Sequence, residues 1–537
     1  MVHTISTSVA IPSPKEIIIK NGTLVDGTGA ARVQQDLYIR GDVIEGVGDF
    51  KNRNAELVID ATGKFVTPGF IDMQSHSDAY WTLFTVPSQD SLVEQGITSI
   101  IMGNCGSSIA PLVEPDAIKS IQKWADISEV QLNWLTLSEL YKVLEQRGVP
   151  LNVGTLIGHS TVRRGLIKEE VRDLTSEEMA QFKKVVDDAM NEGAYGISFG
   201  LAYSHANFTT LQELIEISRM VQGSGGYVAF HLRYDDERFD QGISEVIETG
   251  RQAGVPVHIS HLRANGRSAW PKLPAAVQLI EQAVQGGVDV SFNVYPYNVT
   301  LSTLHNYLPS WFTRGGKGKM IERIKNERLR ARVIEEMRRQ PYGYANMLIA
   351  QAPSNRALAG KTINEMALGT GLSVEETVLN TLIAANGQVI VMDATVSEEH
   401  VRQLLTHPLS VIGTDAAGYD LRYRGELVHP RSFGTFPRVI AKYVRDEKLL
   451  SLEAAIYKMT GGPAKRLNMR RRGLIKPNYF ADVVVIDPAT VQDQATTDHP
   501  FRFPIGIEHV LINGKIVHGP FKQANPMAGY ILRRTQT

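Results

Sequence analysis

The chain predicts an α/β fold: a (β/α)₈ TIM-like barrel with a small β-sandwich built from both chain termini. Three observations lead there. Short apolar strands alternate with amphipathic helical stretches through the middle of the 537 residues, in eight repeats, the number that closes such a barrel. Hairpin chemistry gathers at the two ends of the chain. The length suits one large domain plus one or two small ones, at roughly 100–200 residues per domain.

Residues 16–29, EIIIKNGTLVDGTG, alternate in polarity and turn at Asn21-Gly22 and Asp26-Gly27. Residues 36–48 repeat the pattern around Gly41-Asp42, and 57–69 repeat it again. Near the other end, 480–488 and 505–519 read alike, with Asn513-Gly514 as a hairpin turn. Residues 1–66 and 470–537 therefore predict the two parts of one sandwich, and 67–469 the barrel. The barrel strands are expected at 68–73, 97–103, 152–158, 194–200, 226–231, 255–261, 288–295 and 409–415. Helical stretches such as 176–193 and 272–287 separate them and close on glycine. The rival architecture is a doubly wound open sheet, weakened because no G-x-G-x-x-G follows the first strand. The stretch between the seventh and eighth strands is too long for one loop and one helix. It predicts an insertion at about 300–365, containing TRGGKGK and a helix-rich run, placed over the barrel mouth as a lid candidate.

Composition excludes several function classes. Hydrophobic residues make up 43% and charged residues 21%, as in ordinary soluble domains. The 56 basic and 57 acidic residues leave a net charge of −1, so neither nucleic acid nor an anionic membrane is expected as a partner. No apolar run approaches the ~20 residues of a membrane span. The N-terminal MVHTISTSVAIPSPKE reads as a polar lead, not a signal peptide. With Cys105 as its one cysteine the chain has no intrachain disulfide, which fits a reducing, cytoplasmic setting. The expected partner is a small molecule; the oligomeric state is not legible.

In a barrel the active site forms at the C-terminal ends of the strands. Read in order, those ends offer Asp72, Gln74, His76 and Asp78; Cys105; His159; the GLAYSH segment with Tyr203 and His205; His231; His261; Tyr295; and Asp415. With only 14 histidines in the chain, this concentration of nitrogen and sulfur donors points to a metal. Two imidazoles, a thiolate and a nearby carboxylate suit Zn²⁺ with an open position for water. His258 and His261 lie three apart, so on one strand they would face opposite ways. His261, at the end, is the expected ligand, and His258 a packed residue. His159 and His205 are lesser candidates, more readily structural. Asp415 could cap a following helix, but a carboxylate facing a metal is the natural proton carrier.

The phrases PGFID-x₃-H-x-D, GNCG, GHSTVR, GISFGLAY, ISHLRANG, NVYPYN and GTDAAG, with the long block 429–473, follow one another in an order that resembles the amidohydrolase superfamily. Within it, the chain looks like the N-acyl-D-amino-acid deacylases (D-aminoacylases), over nearly its whole length. The resemblance implies a barrel plus sandwich, one tightly held zinc on Cys105, His231 and His261, and Asp415 as the catalytic acid-base. It also implies Tyr203 and Tyr295 as substrate-binding residues. Two departures stand out. Gln74 occupies the first position of the family's H-x-H pair, so a second metal site on His76 is expected to be weak or absent. Arg263 replaces the lysine usual two residues after the strand-six histidine, and a forked guanidinium grips a carboxylate differently from a point charge.

The reaction so implied is zinc-dependent hydrolysis of the amide bond of an anionic N-acyl-D-amino acid or a close relative, with Arg263, Tyr203 and Tyr295 holding the substrate carboxylate. Two other readings stay open at this point. One is an amidohydrolase acting on a different amide, such as a cyclic imide, a carbamate or a peptide-like toxin. The other is a non-catalytic scaffold, for which Gln74 is the only support.

Overall fold

A computed structural model describes residues 14–534 except 128–129, 204, 341, 424–425 and 523–526. Most of the polar N-terminal lead therefore lies outside the described residues. Eight parallel strands form the barrel: β1 (Phe70–Asp72), β2 (Ile97–Met102), β3 (Asn152–Thr155 and Ile157–Gly158), β4 (Gly196–Gly200), β5 (Tyr227–His231), β6 (Val257–Ile259), β7 (Val290–Val294) and β8 (Ser410–Ile412). Each pairs in parallel with the next. β3 breaks at Leu156, its first part pairing with β2 and its second with β4. A parallel bridge between Ser75 and Ala416 joins the end of β1 to the end of β8 and closes the ring.

Side chains alternate across each strand. One set fills the barrel: Ile71, Met73, Ile101, Leu156, Tyr227, Ala229 and Val411 form a buried cluster. The other set meets the surrounding helices. The helix Ser176–Asn191 is typical. It opens on a capping box between Thr175 and Glu178 and buries Phe182, Val186, Ala189 and Met190.

The sandwich has two sheets. One is four-stranded and N-terminal, in the order 43–48, 36–40, 16–20, 57–60. The other joins the two ends of the chain, because Phe65–Pro68 pairs antiparallel with Val483–Ile486. Ile17, Ile19, Leu37 and Ile39 from the first sheet pack on Val66, Val483, Val485 and Leu511 from the second. Lys20 ends a strand at the left-handed Asn21, but the expected hairpin does not form there: residues 16–20 pair within the first sheet and 23–24 within the second, so Asn21-Gly22 carries the chain from one sheet to the other.

The insertion is larger than the stretch expected at about 300–365. Its sheet comprises Thr300–Thr303, Leu348–Gln351 and Ile390–Asp393, all antiparallel. The last strand lies well past 365, so sequence distance hid its membership. Helices 316–325, 327–338 and 374–384 enclose a separate core that includes Leu304, Phe312, Ile324, Val333 and Val378. Among the described residues no helix is long and apolar enough to cross a membrane.

Candidate metal-dependent active site

Three of the barrel strands end short of the residues that matter. β2 stops at Met102, β6 at Ile259 and β8 at Ile412. Cys105, His261 and Asp415 follow in tight turns with left-handed φ of 52°, 35° and 51°. Such a conformation costs a non-glycine residue on the order of 1–3 kcal/mol and persists where surrounding contacts over-determine it. Those contacts are visible. The His261 N–H donates to Asn293 Oδ1 at 2.6 Å. Asp72 accepts from the Thr414 N–H (2.9 Å), the Thr414 hydroxyl (2.5 Å) and the Gln74 N–H (3.0 Å), tying the end of β1 to the Asp415 turn. Asp78 accepts from the Gly103 N–H at 2.9 Å and fixes the Cys105 turn. Gly200 lets that turn sit against β4, since a Cβ there would lie 2.1 Å from the Cys105 carbonyl oxygen.

The turns bring Cys105, His231 and His261 together with one ligand atom each, all within 4.8 Å of one another. All three are buried. A tetrahedral zinc with Zn–S near 2.3 Å and Zn–N near 2.05 Å separates sulfur from nitrogen by about 3.5 Å; Cys105 Sγ and His261 Nε2 are 3.5 Å apart. Burial lowers the pKa of both imidazoles, His261 to about 3, and His231, beside His261 and Arg263, well below the usual value. They are held neutral, the form that coordinates metal. The donor set therefore fits a zinc ion on geometry, charge state and softness.

His76, Cys105 and Asp415 form a second group that shares the thiol. His76 Nε2 lies 3.0 Å from Asp415 Oδ1. Gln74, fully buried, donates its side-chain N–H to Cys105 Sγ at 3.3 Å. That bond occupies the amide nitrogen; Oε1, the only atom by which an amide ligates a metal and a weaker donor than imidazole, has no hydrogen-bond partner among the described residues. The other Asp415 oxygen meets Arg431 Nη2 at 3.0 Å, with both side chains buried. Burial would raise the pKa of Asp415, but Arg431, His261 and His76 outweigh it and hold the carboxyl well below the usual carboxylate range.

Arg431 is the functional candidate that sequence reasoning missed. It stands at the start of the helix Arg431–Arg438, far in sequence from any strand end, inside the block 429–473 whose residues were not assigned singly. Its guanidinium also lies over the Tyr295 ring, 4.7 Å from the centroid. Its Nε and Nη1 have no hydrogen-bond partner among the described residues.

Arg263 lies in the same mouth, but not through an extended strand, since β6 has already ended. Nη1 donates to the Tyr295 hydroxyl at 3.1 Å and Nη2 meets Asp235 Oδ2 at 3.1 Å. Asp235 thus already engages part of its fork. The Tyr203 ring packs on His231, centroids 4.9 Å apart. A cavity of about 310 Å³ runs from His231 and Arg263 to Tyr307 and Tyr342 of the insertion, so the insertion walls the site.

The remaining candidates lie elsewhere. The His258 Nδ1 is 2.8 Å from the Ser291 hydroxyl, and its ring stands edge-on to Tyr227 of the barrel interior. His258 and His261 are therefore not separated by simple strand alternation. His258 sits in the interior layer, and the left-handed turn at 261 brings the later histidine to the mouth. His159 pairs with buried Glu213 at 2.8 Å. His205 lines a small cavity on the far side of Tyr203 from His231.

Comparison with known proteins now bears on this geometry. The amidohydrolase family model matches residues 57–518. The chain belongs to the amidohydrolase family. It is an enzyme, a metal-dependent hydrolase acting on amide C–N bonds, and the likeness to D-aminoacylases expected from its sequence holds. It is 32% identical to a D-aminoacylase of Alcaligenes xylosoxydans xylosoxydans, over 97% of this chain and 98% of that protein. It is 31% identical to an N-acyl-D-glutamate deacylase of the same organism, over 97% and 96%. Among solved structures, an N-acyl-D-glutamate deacylase from Bordetella bronchiseptica, complexed with zinc and a phosphonate inhibitor mimicking the tetrahedral intermediate, superposes with a TM-score of 0.82 at 28% identity, covering 96% of this chain and 99% of that one.

Proposed function

We propose that the chain hydrolyses the amide bond of N-acyl-D-amino acids, with one zinc ion on Cys105, His231 and His261. The observation that carries this reading is the buried thiol and imidazole cluster, with Asp415 beside it, poised by Arg431 and His76. Bound there, zinc supplies Lewis acidity, lowering the pKa of water towards 7 and polarising a carbonyl. The chain's own groups do the rest. Asp415, held ionised, accepts the proton of the attacking water through one oxygen and delivers it to the leaving nitrogen. His76 keeps that carboxylate oriented through Oδ1. Arg431, with Nε and Nη1 open and the Tyr295 ring against it, receives the substrate α-carboxylate, assisted by Arg263. Tyr203 lines the opposite wall beside His231. Gln74, bonded to the thiol, replaces an imidazole beside His76, Cys105 and Asp415, so a second ion is held there less firmly.

The D configuration rests on the relatives at about this level of identity, which act on N-acyl-D-amino acids by name. The test is hydrolysis of matched N-acyl-D- and N-acyl-L-amino acids alongside zinc content. Turnover confined to D substrates with about one zinc per chain supports the reading. Turnover of cyclic imides or carbamates alone would replace it.

A further inference from the structure

We propose that the acyl end of the site is built for an anionic group, so that preferred substrates carry a short dicarboxylic N-acyl chain of succinyl type. The inference deepens the deacylase reading above and rests on it. Tyr203 follows β4, while Tyr295 and Arg431 follow β7 and β8, across the barrel from it. If the α-carboxylate goes to Arg431, the acyl chain extends past His231 towards Tyr203.

Beyond Tyr203 lies a small cavity of about 70 Å³ whose lining includes Lys123, Ser160, His205, His305 and Lys317. The Lys123 ammonium sits 3.7 Å from the centroid of the Tyr203 ring and donates to the Ser107 hydroxyl at 3.3 Å. Among the described residues no carboxylate forms an ion pair with Lys123 or Lys317. The other charges at this cavity are already matched: Arg164 meets Glu169 at 2.8 Å and Lys119 meets Asp116 at 2.6 Å. Ser160 Oγ, His205 Nε2 and His305 Nδ1 are buried without a partner among the described residues. Ser160 is 3% exposed and His205 8%. A buried hydroxyl and imidazole are costly to leave unbonded, and a ligand carboxylate would satisfy them. Burial and the nearby Arg164 lower the Lys123 pKa to about 7, the behaviour of an ammonium that lacks its counter-ion. An arriving carboxylate supplies one.

The reaction remains a hydrolysis: the C–N bond breaks, a C–O bond forms at the carbonyl carbon, and the water proton passes to nitrogen. The products are the free amino acid and a dicarboxylate.

The test compares kcat/KM for N-succinyl- and N-butyryl-D-amino acids of the same side chain in the zinc-loaded enzyme. Wild type should favour succinyl by about tenfold or more, the worth of one charge-assisted hydrogen bond. In Lys123→Met this ratio should fall to about one, and in Ser160→Ala by about threefold. Calorimetric titration with succinamate and butyramide, ligands that carry the acyl half alone, should show the same preference and the same loss. An equal preference for both acyl chains in wild type, or an unchanged ratio in Lys123→Met, overturns the proposal. If the succinamate preference holds while no N-acyl-D-amino acid is cleaved, the anion subsite stands and the deacylase reading fails. Hydrolysis of N-butyryl substrates without any succinyl preference does the reverse.

Discussion

Replacing Arg431 by methionine keeps an unbranched apolar stem and removes the guanidinium charge. The guanidinium and the Asp415 carboxylate are 3.0 Å apart with side chains 4% and 8% exposed. Two charges with centres about 4 Å apart interact by on the order of 4 kcal/mol at an effective dielectric of 20. Removing one partner of a buried pair typically costs about 3–5 kcal/mol. Part of that is offset here, because Asp415 keeps His76 at 3.0 Å. The expected loss is ~2–4 kcal/mol in kcat/KM, roughly 30- to 1000-fold. Two substrates separate the two jobs of the residue: an N-acyl-D-amino acid and its carboxamide, which offers no carboxylate to grip. Orientation of Asp415 affects both, whereas carboxylate binding affects only the acid, so the acid should lose more than the amide. Zinc content should stay that of the wild type, since Arg431 touches none of the three proposed ligands. A variant with wild-type kcat/KM on the acid would refute the reasoning, and equal losses on acid and amide would remove the carboxylate from the account.

The other expectations are narrower. Elemental analysis after mild dialysis should find about one zinc per chain; two firmly held ions would mean that His76 binds well despite Gln74. Asp415→Asn should lose on the order of 10²–10⁴-fold in kcat with zinc retained, the usual worth of general acid–base catalysis; an active variant would move the proton transfer elsewhere. Away from the site, Glu213→Gln should destabilise the chain by about 3–5 kcal/mol in denaturant unfolding, because it strips the charge partner from buried Arg163, whose Nε lies 3.0 Å from the carboxylate. Burial would raise the Glu213 pKa, but the bonds from His159 and Arg163 leave it lowered. A depressed folded pKa gives stability that is present above the unfolded value of about 4.3 and lost as pH falls through the folded value. The acid limb of the wild-type stability curve below about pH 4.3 should therefore flatten in the variant; an unchanged limb would show that Glu213 is not its source.

The barrel was legible because its signal is periodic and local. Each strand is a short apolar run, each helix an amphipathic one, and neither depends on distant residues. The sandwich was legible for the same reason, through hairpin signals such as Asn513-Gly514, whose flanking strands pair antiparallel. Less readable was whatever depends on leaving the regular pattern. The expected strands run to 103, 261 and 415, yet the paired strands stop at Met102, Ile259 and Ile412, and Cys105, His261 and Asp415 all have left-handed backbones. Side-chain alternation assigns faces only while a strand continues. It could therefore name residues near the mouth, but its reason for choosing His261 over His258 was not the physical one. The left-handed turn at 261, held by Asn293, makes that choice. Arg431 escaped for a complementary reason. It comes from a helix start 16 positions after Asp415, and only closure of the ring by the Ser75–Ala416 bridge, with that helix packed behind it, brings its charge to the carboxylate. Strained turns and long-range ion pairs share one property: their cost or worth is set by neighbours that the chain supplies from elsewhere. This is why the residues closest to the chemistry were the ones whose placement the local pattern described least well.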